Sequence, residues 1–183
     1  DEADDITQFY FYLLEGRYKI KTGLKKWHEL LFFCHENELG AEAQLQTVAA
    51  FQNPLVAVCP AEHYCRSGAF GKITPAGSGR TDRYDQLCDQ LAEQYEKRHK
   101  DNNWYGMLNY GCVIHEGMLI WENGEYDHHH GFLLLFARTA DPKWYFLAEK
   151  AARHFIDVDT VHYGLHTGAV YAHEIGHTGD YFD

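Results

Sequence analysis

Apolar positions in the second half of the chain recur at the spacing of an α-helix. Thr81 or Asp82 can cap a helix that runs to about Lys100. The residues that share one face of this helix, at spacings of three and four, are Tyr84, Leu87, Leu91 and Tyr95. The pattern therefore predicts a long amphipathic helix in the middle of the chain.

Two further helices are predicted close together after it. Residues 128–138 contain the apolar run FLLLFA, which indicates a buried helix. Asp141 and Pro142 then suit the N-cap and the first position of a helix over residues 143–155. One side of that helix carries Trp144, Leu147, Ala148, Ala151, Ala152 and Phe155. Helices joined by so short a turn predict an antiparallel αα-hairpin.

The first third of the chain has a different pattern. Residues 9–14, 17–21 and 27–34 are short apolar or alternating runs separated by Gly-containing turns. They predict a small antiparallel β segment. Residues 41–51 suit a short helix, and the Gly-, Ser- and Pro-rich residues 67–80 suit an exposed loop.

Charge and composition narrow the classes of partner. The formal net charge of the 183 residues is -11 with His neutral. A surface of this sign disfavours nucleic acid and anionic membranes, and an acidic polysaccharide would need a local cationic pocket. Aromatic residues reach 15%, which suits either large core side chains or a sugar-binding groove.

The five cysteines and the start of the chain indicate no particular chemistry. No CxxC pair is present, so we expect free thiols, although Cys59 and Cys65 are near enough in sequence to bridge. No apolar run is long enough to predict a transmembrane helix, and the acidic start predicts no signal peptide.

Histidines and tyrosines are concentrated near the end of the chain. They are His154, His162, Tyr163, His166, Tyr171, His173, His177 and Tyr181. Imidazoles and phenols suit proton transfer, and Asp157 or Asp159 could fix the tautomer of a histidine. The competing interpretation is a solvated polar loop.

Two other groups of residues favour sugar binding. Residues 104–111 (WYGMLNYG), with Trp121 beyond them, alternate aromatic side chains with Gly and Asn. This suits a sugar-facing wall or, equally, a tight core turn. His128, His129 and His130 follow, and at about 100° per residue on a helix at most two of them can face one pocket.

Residues 173–177 (HEIGH) match the HExxH pattern of zinc peptidases. His173 and His177 would be two zinc ligands on one helix, and Asp183 has the spacing of a third. However, Gly176 and Gly179 disfavour a helix there, and the extended zincin pattern is not met. Our main prediction is therefore that no cofactor is needed, with zinc as the alternative.

The runs at 104–111, 125–144, 151–163 and 171–181 resemble the catalytic domain of exo-acting rhamnogalacturonan lyase-like proteins. The resemblance implies a mainly α fold, an (α/α) toroid of antiparallel helix hairpins. We expect residues 1–38 to belong to a preceding sandwich or barrel domain and residues 39–183 to form part of the toroid. The toroid would be incomplete, because a full one needs about 300 residues at ordinary helix and loop lengths. Cys112 stands where similar proteins would carry an acidic residue.

The resemblance also implies β-elimination at a uronic acid in an acidic, pectic polysaccharide or oligosaccharide. The predicted catalytic residues are His162 or His173 as base and Tyr110 or Tyr181 as acid, with Asn109, His130 or His177 neutralising the carboxylate. Substrate-binding residues would be Trp104, Trp121 and Tyr163 together with Asn109 and His130. The family also suggests an extracellular or periplasmic location, and the oligomeric state is left open.

Three alternatives remain at this point. A glycoside hydrolase on the same toroid would use two carboxylates across a groove, chosen among Asp127, Asp157, Asp159 and Glu174. A zinc metallopeptidase would use HEIGH, and a non-catalytic module would bind glycans without turnover.

Overall fold

A computed structural model describes residues 23–35, 39–105, 110–112 and 126–170 of the chain. These parts form five α-helices followed by one π-helical turn. The helices are α1 (Ala41–Gln52), α2 (Ala61–Ser67), α3 (Asp82–Asp101), α4 (His128–Thr139) and α5 (Pro142–His154), and the π turn is Phe155–Asp159. The mainly helical fold class predicted from the sequence is thus confirmed.

Helices α4 and α5 form the predicted antiparallel hairpin. Asp141 caps α5 as expected, since its side chain accepts a hydrogen bond from the Lys143 amide and Pro142 follows at the first helical position. The left-handed backbone of Ala140 (φ 55°) turns the chain between the two helices. Across the hairpin, the rings of Phe132 and Trp144 stack with centroids 6.0 Å apart.

The core lies between this hairpin and helix α3. Its buried members are Cys88, Ala92, Trp144 and Leu147, with Tyr95, Phe132, Leu135 and Phe136 packed around them. The small side chains of Cys88 and Ala92 leave room for the indole of Trp144, which is 1% exposed. Burial of that ring and of Leu147 is the main apolar contribution to the stability of the hairpin.

Most of the apolar residues predicted to share one face of α3 lie on the side that faces away from the core. Tyr84, Leu87 and Leu91 are each more than half exposed, and the buried positions are Cys88, Ala92 and His99. Of the four predicted residues, only Tyr95 packs against the core. The helix is therefore confirmed, but the side of it that packs with Trp144 is the one that carries Cys88 and Ala92.

An ion pair fastens the predicted loop at 67–80 to the core helices. Arg138 of α4, 7% exposed, places Nη2 2.7 Å from Oδ1 of Asp85 and donates from Nε to the Thr74 carbonyl. The other carboxylate oxygen of Asp85 accepts from the Thr81 hydroxyl and the Gly77 amide. Burial alone would raise the pKa of Asp85, but these donors and the guanidinium lower it below its ordinary value.

The predicted β segment is not found in the described part of the chain. Residues 24–35 include the predicted strand at 27–34 but form neither helix nor paired strand, and Leu30 and Phe32 are 76% and 85% exposed. A strand needs a neighbour for its backbone hydrogen bonds, and the other predicted strands, at 9–14 and 17–21, lie outside the described residues. The domain boundary at residue 38 stays a prediction. None of the described helices is long and apolar enough to cross a membrane.

Candidate functional site

Helix α5 ends in a wide turn that buries several polar side chains. In the π turn Phe155–Asp159, Asp157 is 3% exposed and Asp159 is fully buried, and His154, the last residue of α5, is fully buried beside them. Wide turns of this kind occur frequently at functional sites. Burying two carboxylates and an imidazole costs free energy unless these groups pair or hydrogen-bond with one another or with a ligand.

Asp157 joins three separate parts of the chain. Its Oδ2 accepts a hydrogen bond from the Tyr110 hydroxyl at 3.2 Å and from the Trp27 amide at 3.0 Å. Its backbone carbonyl accepts from the Lys25 amide at 2.9 Å. A single aspartate thus holds the segment after Gly23 and the loop at 110–112 against the end of α5.

Behind Tyr110 lies a buried histidine–aspartate contact. The His154 ring packs edge-on against the Tyr110 ring, with centroids 5.2 Å apart. Nε2 of His154 lies 3.4 Å from Oδ1 of Asp159, within ion-pair range. Asp159 is therefore placed to orient this imidazole, the role that the sequence suggested for an aspartate of this turn.

A lysine lies against the phenol ring of Tyr110. The Lys26 ammonium lies 3.6 Å from the centre of the Tyr110 ring. Burial lowers the pKa of Lys26, Arg153 acts in the same direction, and Asp157 opposes both only in part. Burial likewise raises the pKa of Tyr110 far above its ordinary value, and the carboxylate of Asp157 adds to that rise. Tyr110 is therefore a protonated phenol at neutral pH.

Arg153 of α5 occupies the outer side of the same region. It binds Glu149 through Nε at 3.1 Å and Nη2 at 2.8 Å, and Nη2 is also 3.2 Å from Glu29. Its guanidinium carbon lies 4.3 Å from the centre of the Trp27 ring. Because two carboxylates already neutralise Arg153, its charge is less available to a ligand than that of Lys26.

The loop at 110–112 is fixed from its other end. Gly111 has a left-handed backbone (φ 68°) and lies so close to α5 that an added Cβ would be 2.3 Å from the Lys150 carbonyl oxygen. Cys112 is fully buried, and its carbonyl lies 2.8 Å from Nε2 of His99 in α3. The position of Tyr110 therefore depends on backbone contacts with two helices.

Five of the predicted site residues lie in the described part of the chain. His162 is exposed; its amide donates to the Gly23 carbonyl at 2.8 Å, and its ring Nε2 contacts the carbonyl of Ile156 in the π turn. Tyr110 contacts Asp157, the next residue of that turn. The structure thus brings these two predicted catalytic residues to the same end of α5.

The other three are arranged more loosely around that end. Tyr163 is 75% exposed in the turn that follows His162. His130 is exposed in the first turn of α4, which is at this end of the hairpin because the neighbouring His129 packs on Phe155 with ring centroids 5.2 Å apart. Trp104 is half-buried and packs edge-on against His99, whose Nε2 lies 2.8 Å from the Cys112 carbonyl in the loop that carries Tyr110.

The remaining predicted residues lie outside the described residues, and their roles stay predictions. They are Asn109, Trp121, His173, His177, Tyr181 and, for the zinc alternative, Asp183. Within the described ranges no group of three His, Cys, Asp or Glu side chains is suited to hold a metal ion. The zinc alternative depends on HEIGH, which those ranges do not include.

Sequence reasoning did not single out Lys26 or Trp27 as site residues. The signal available was the pair Lys25–Lys26 directly before an aromatic residue, in a chain whose net charge is -11. Such a pair is common on protein surfaces. Only the contacts with Tyr110 and Asp157, far away in sequence, give it significance.

The described residues define a class: a mainly helical domain that contains an antiparallel α-hairpin, with a polar site where a hairpin helix ends. Residues 54–181 match the family model described as the PcRGLX-like protein C-terminal alpha/alpha toroid domain. The chain therefore belongs to this family, and the predicted relation to rhamnogalacturonan lyase-like proteins is confirmed at the level of the domain.

A curated relative extends this comparison. The chain is 24% identical over 172 residues to the uncharacterized protein YetA of Bacillus subtilis (strain 168). The aligned region is 86% of this chain and 20% of that protein, so the chain spans about one fifth of the length of this relative.

Proposed function

We propose that this domain contributes to an enzyme that cleaves an acidic polysaccharide by β-elimination at a uronic acid. The observation that carries the proposal is the phenol of Tyr110, which donates to Asp157 and has the Lys26 ammonium against its ring, with His162 bound to the same π turn through the Ile156 carbonyl. Membership of a toroid family related to rhamnogalacturonan lyases supports a carbohydrate substrate.

The proposed reaction needs a base, an acid and a cation. The base removes the C5 proton of the uronate, the electron pair forms the C4–C5 double bond, and the bond from C4 to the leaving O4 breaks. The acid protonates O4, and the cation stabilises the charge that develops on the carboxylate in the transition state. The products are an unsaturated sugar acid and a new hydroxyl end.

Tyr110 suits the acid and His162 the base. Like any tyrosine, Tyr110 is protonated at neutral pH, so its hydroxyl can donate to the leaving oxygen as negative charge develops there; its raised pKa makes it a weaker acid than an unperturbed phenol. In the tautomer of His162 that donates from Nε2 to the Ile156 carbonyl, Nδ1 keeps a lone pair that can take a proton. His173 and Tyr181 remain the alternative assignments.

The hydrolase alternative receives less support from the described carboxylates. Asp157 and Asp159 are two residues apart in one buried turn and face different partners, Tyr110 and His154. An inverting or retaining hydrolase needs its two carboxylates on either side of the scissile bond. A hydrolase would therefore need Asp127, whose carboxylate pairs with His129 at the start of α4, or Glu174 as its second carboxylate, and we favour elimination over hydrolysis.

The test is formation of the unsaturated product. The protein is incubated with polygalacturonate and with rhamnogalacturonan, and the ultraviolet absorbance of the C4–C5 double bond is followed. Tyr110→Phe and His162→Ala should each lower the rate by about a hundredfold or more, as expected for loss of a general acid or base. Tyr84→Phe is the matched control and should keep the full rate, because Tyr84 is exposed at the start of α3 and lies beside Arg138, at the opposite end of α4 from the site.

Three results would separate the alternatives. Cleavage that yields reducing ends without the new absorbance would identify a hydrolase. Loss of all activity in chelator, with recovery in zinc, would identify the metallopeptidase class if a peptide is the substrate. Glycan binding without any cleavage would identify a binding module. Each of these would overturn the proposed elimination.

A further inference from the structure

Lys26 is the cation at this site that the described residues leave most available to a ligand. Its ammonium lies against the ring of Tyr110 and makes no ion pair within the described ranges, whereas Arg153 is held by Glu149 and Glu29. A half-buried ammonium has lost part of its hydration, and the free-energy cost of that loss is only partly compensated. This cost lowers the pKa of Lys26. A carboxylate ligand would relieve it.

Trp27, the next residue, offers an apolar surface beside this charge. Its indole is 50% exposed although Arg153 lies over the ring. Its backbone is fixed, because its amide donates to the same carboxylate oxygen of Asp157 that accepts from Tyr110. A half-exposed indole on a backbone fixed in this way suits stacking against the C–H face of a pyranose, because such a ring binds through its apolar body.

From this juxtaposition we propose that Lys26 and Trp27 form a subsite for one acidic sugar residue. Lys26 binds the carboxylate, and Trp27 stacks on the ring of the same sugar or of its neighbour. This deepens the proposed function, on which it rests for the class of substrate, and it assigns the charge-neutralising role to Lys26. In a chain of net charge -11, the subsite is the local cationic pocket that an acidic polysaccharide requires.

Binding can be tested separately from cleavage. The ligands are a short oligogalacturonate and the same oligosaccharide after reduction of its carboxylates to alcohols, each titrated by calorimetry. The protein should bind the acidic form about tenfold or more tightly than the reduced form, the amount expected for one charge-assisted contact. Raising the salt concentration should weaken only the binding of the acidic form.

The neighbouring lysine provides a matched control. Lys26→Gln should remove the preference for the acidic ligand, while Lys26→Arg should retain much of it. Lys25→Gln should retain the full preference, because only the backbone amide of Lys25 contacts Asp157 and its side chain is exposed. Trp27→Leu should weaken both ligands by similar factors, since stacking does not depend on the carboxylate.

A readout on the unmodified protein guards against variants that do not fold. The indole N–H resonance of Trp27, assigned by its loss in Trp27→Phe, should shift on addition of oligogalacturonate. No binding of oligogalacturonate, an unchanged preference in Lys26→Gln, or an equal loss in Lys25→Gln would each overturn the subsite. Binding without cleavage would remove the proposed elimination and leave the subsite standing. Cleavage with a KM that Lys26→Gln does not change would overturn the subsite and leave the proposed elimination standing.

Discussion

Gly111 should be the position of the loop at 110–112 that is least tolerant of a side chain. Its backbone is left-handed, which costs any other residue about 1–2 kcal/mol. In Gly111→Ala the new Cβ would also lie 2.3 Å from the oxygen and 2.5 Å from the carbon of the Lys150 carbonyl. These are backbone atoms of a helix, so the loop has to move instead.

That movement would break two hydrogen bonds that position the loop. One joins Tyr110 to Asp157 and the other joins Cys112 to His99. At about 1 kcal/mol each, added to the backbone strain, the free energy of unfolding should fall by about 3–4 kcal/mol. The proposed activity should fall as well, because Tyr110 would no longer be held beside Asp157.

Urea denaturation followed by circular dichroism measures this loss. Gly68→Ala is the matched control: Gly68 is also left-handed (φ 72°), but an added Cβ would meet no atom within 4 Å. It should therefore cost only the backbone strain of about 1–2 kcal/mol. Equal losses in the two variants would show that the loop does not lie against α5, and the reasoning about Tyr110 would fail with it.

The ion pair and the buried phenols give three further predictions. Arg138→Met should lower the free energy of unfolding, measured by urea denaturation, by roughly 3–5 kcal/mol, because it leaves the carboxylate of Asp85 without its cation. Combining Arg138→Met with Asp85→Asn should recover part of that loss, and additive losses would contradict the pairing. The pKa of Asp85 is lowered on folding, so the stability that this carboxylate contributes is present above pH 3.8, its ordinary pKa, and is lost as the pH falls below that value. The melting temperature of Asp85→Asn should therefore depend less on pH in this acidic range than that of the unmodified protein. The pKa values of Tyr95 and Tyr110 are raised above 10.0, so their stabilisation is present below pH 10.0 and is lost as the pH rises beyond it. Tyr95→Phe and Tyr110→Phe should each flatten the alkaline fall in melting temperature, and an unchanged slope would show that the phenols are solvated.

The hairpin could be predicted from the sequence because its signals are local. Asp141 and Pro142 fix the start of α5 within two residues, and the apolar spacing of that helix matches a single buried side. The buried face of α3 could not be predicted in the same way. Its larger apolar side chains, such as Leu87 and Leu91, are exposed, and the small Cys88 is buried because Trp144 of another helix fills the space beside it.

Only part of the candidate site could be predicted from the sequence, for the same reason. The clustering of His and Tyr indicated the end of α5 and included His162, whereas Tyr110 was predicted from the separate run at 104–111 and the family resemblance. The contacts that give the site its chemistry join residues far apart in sequence, such as Trp27 with Asp157 across 130 positions. No periodicity or motif encodes such a contact, so Lys26 could be assigned a role only from its place above the Tyr110 ring.

Asp157 serves both the fold and the proposed chemistry, and its hydrogen bonds show how the two uses can be separated. Oδ2 accepts from the Trp27 amide as well as from the Tyr110 hydroxyl, so removing the hydroxyl still leaves the buried carboxylate with a donor. Removing the carboxylate instead leaves the Trp27 amide and the Tyr110 hydroxyl, both only partly accessible to water, without their acceptor, which costs more. Loss of Tyr110 should therefore affect the reaction far more than the fold, whereas loss of Asp157 should affect both.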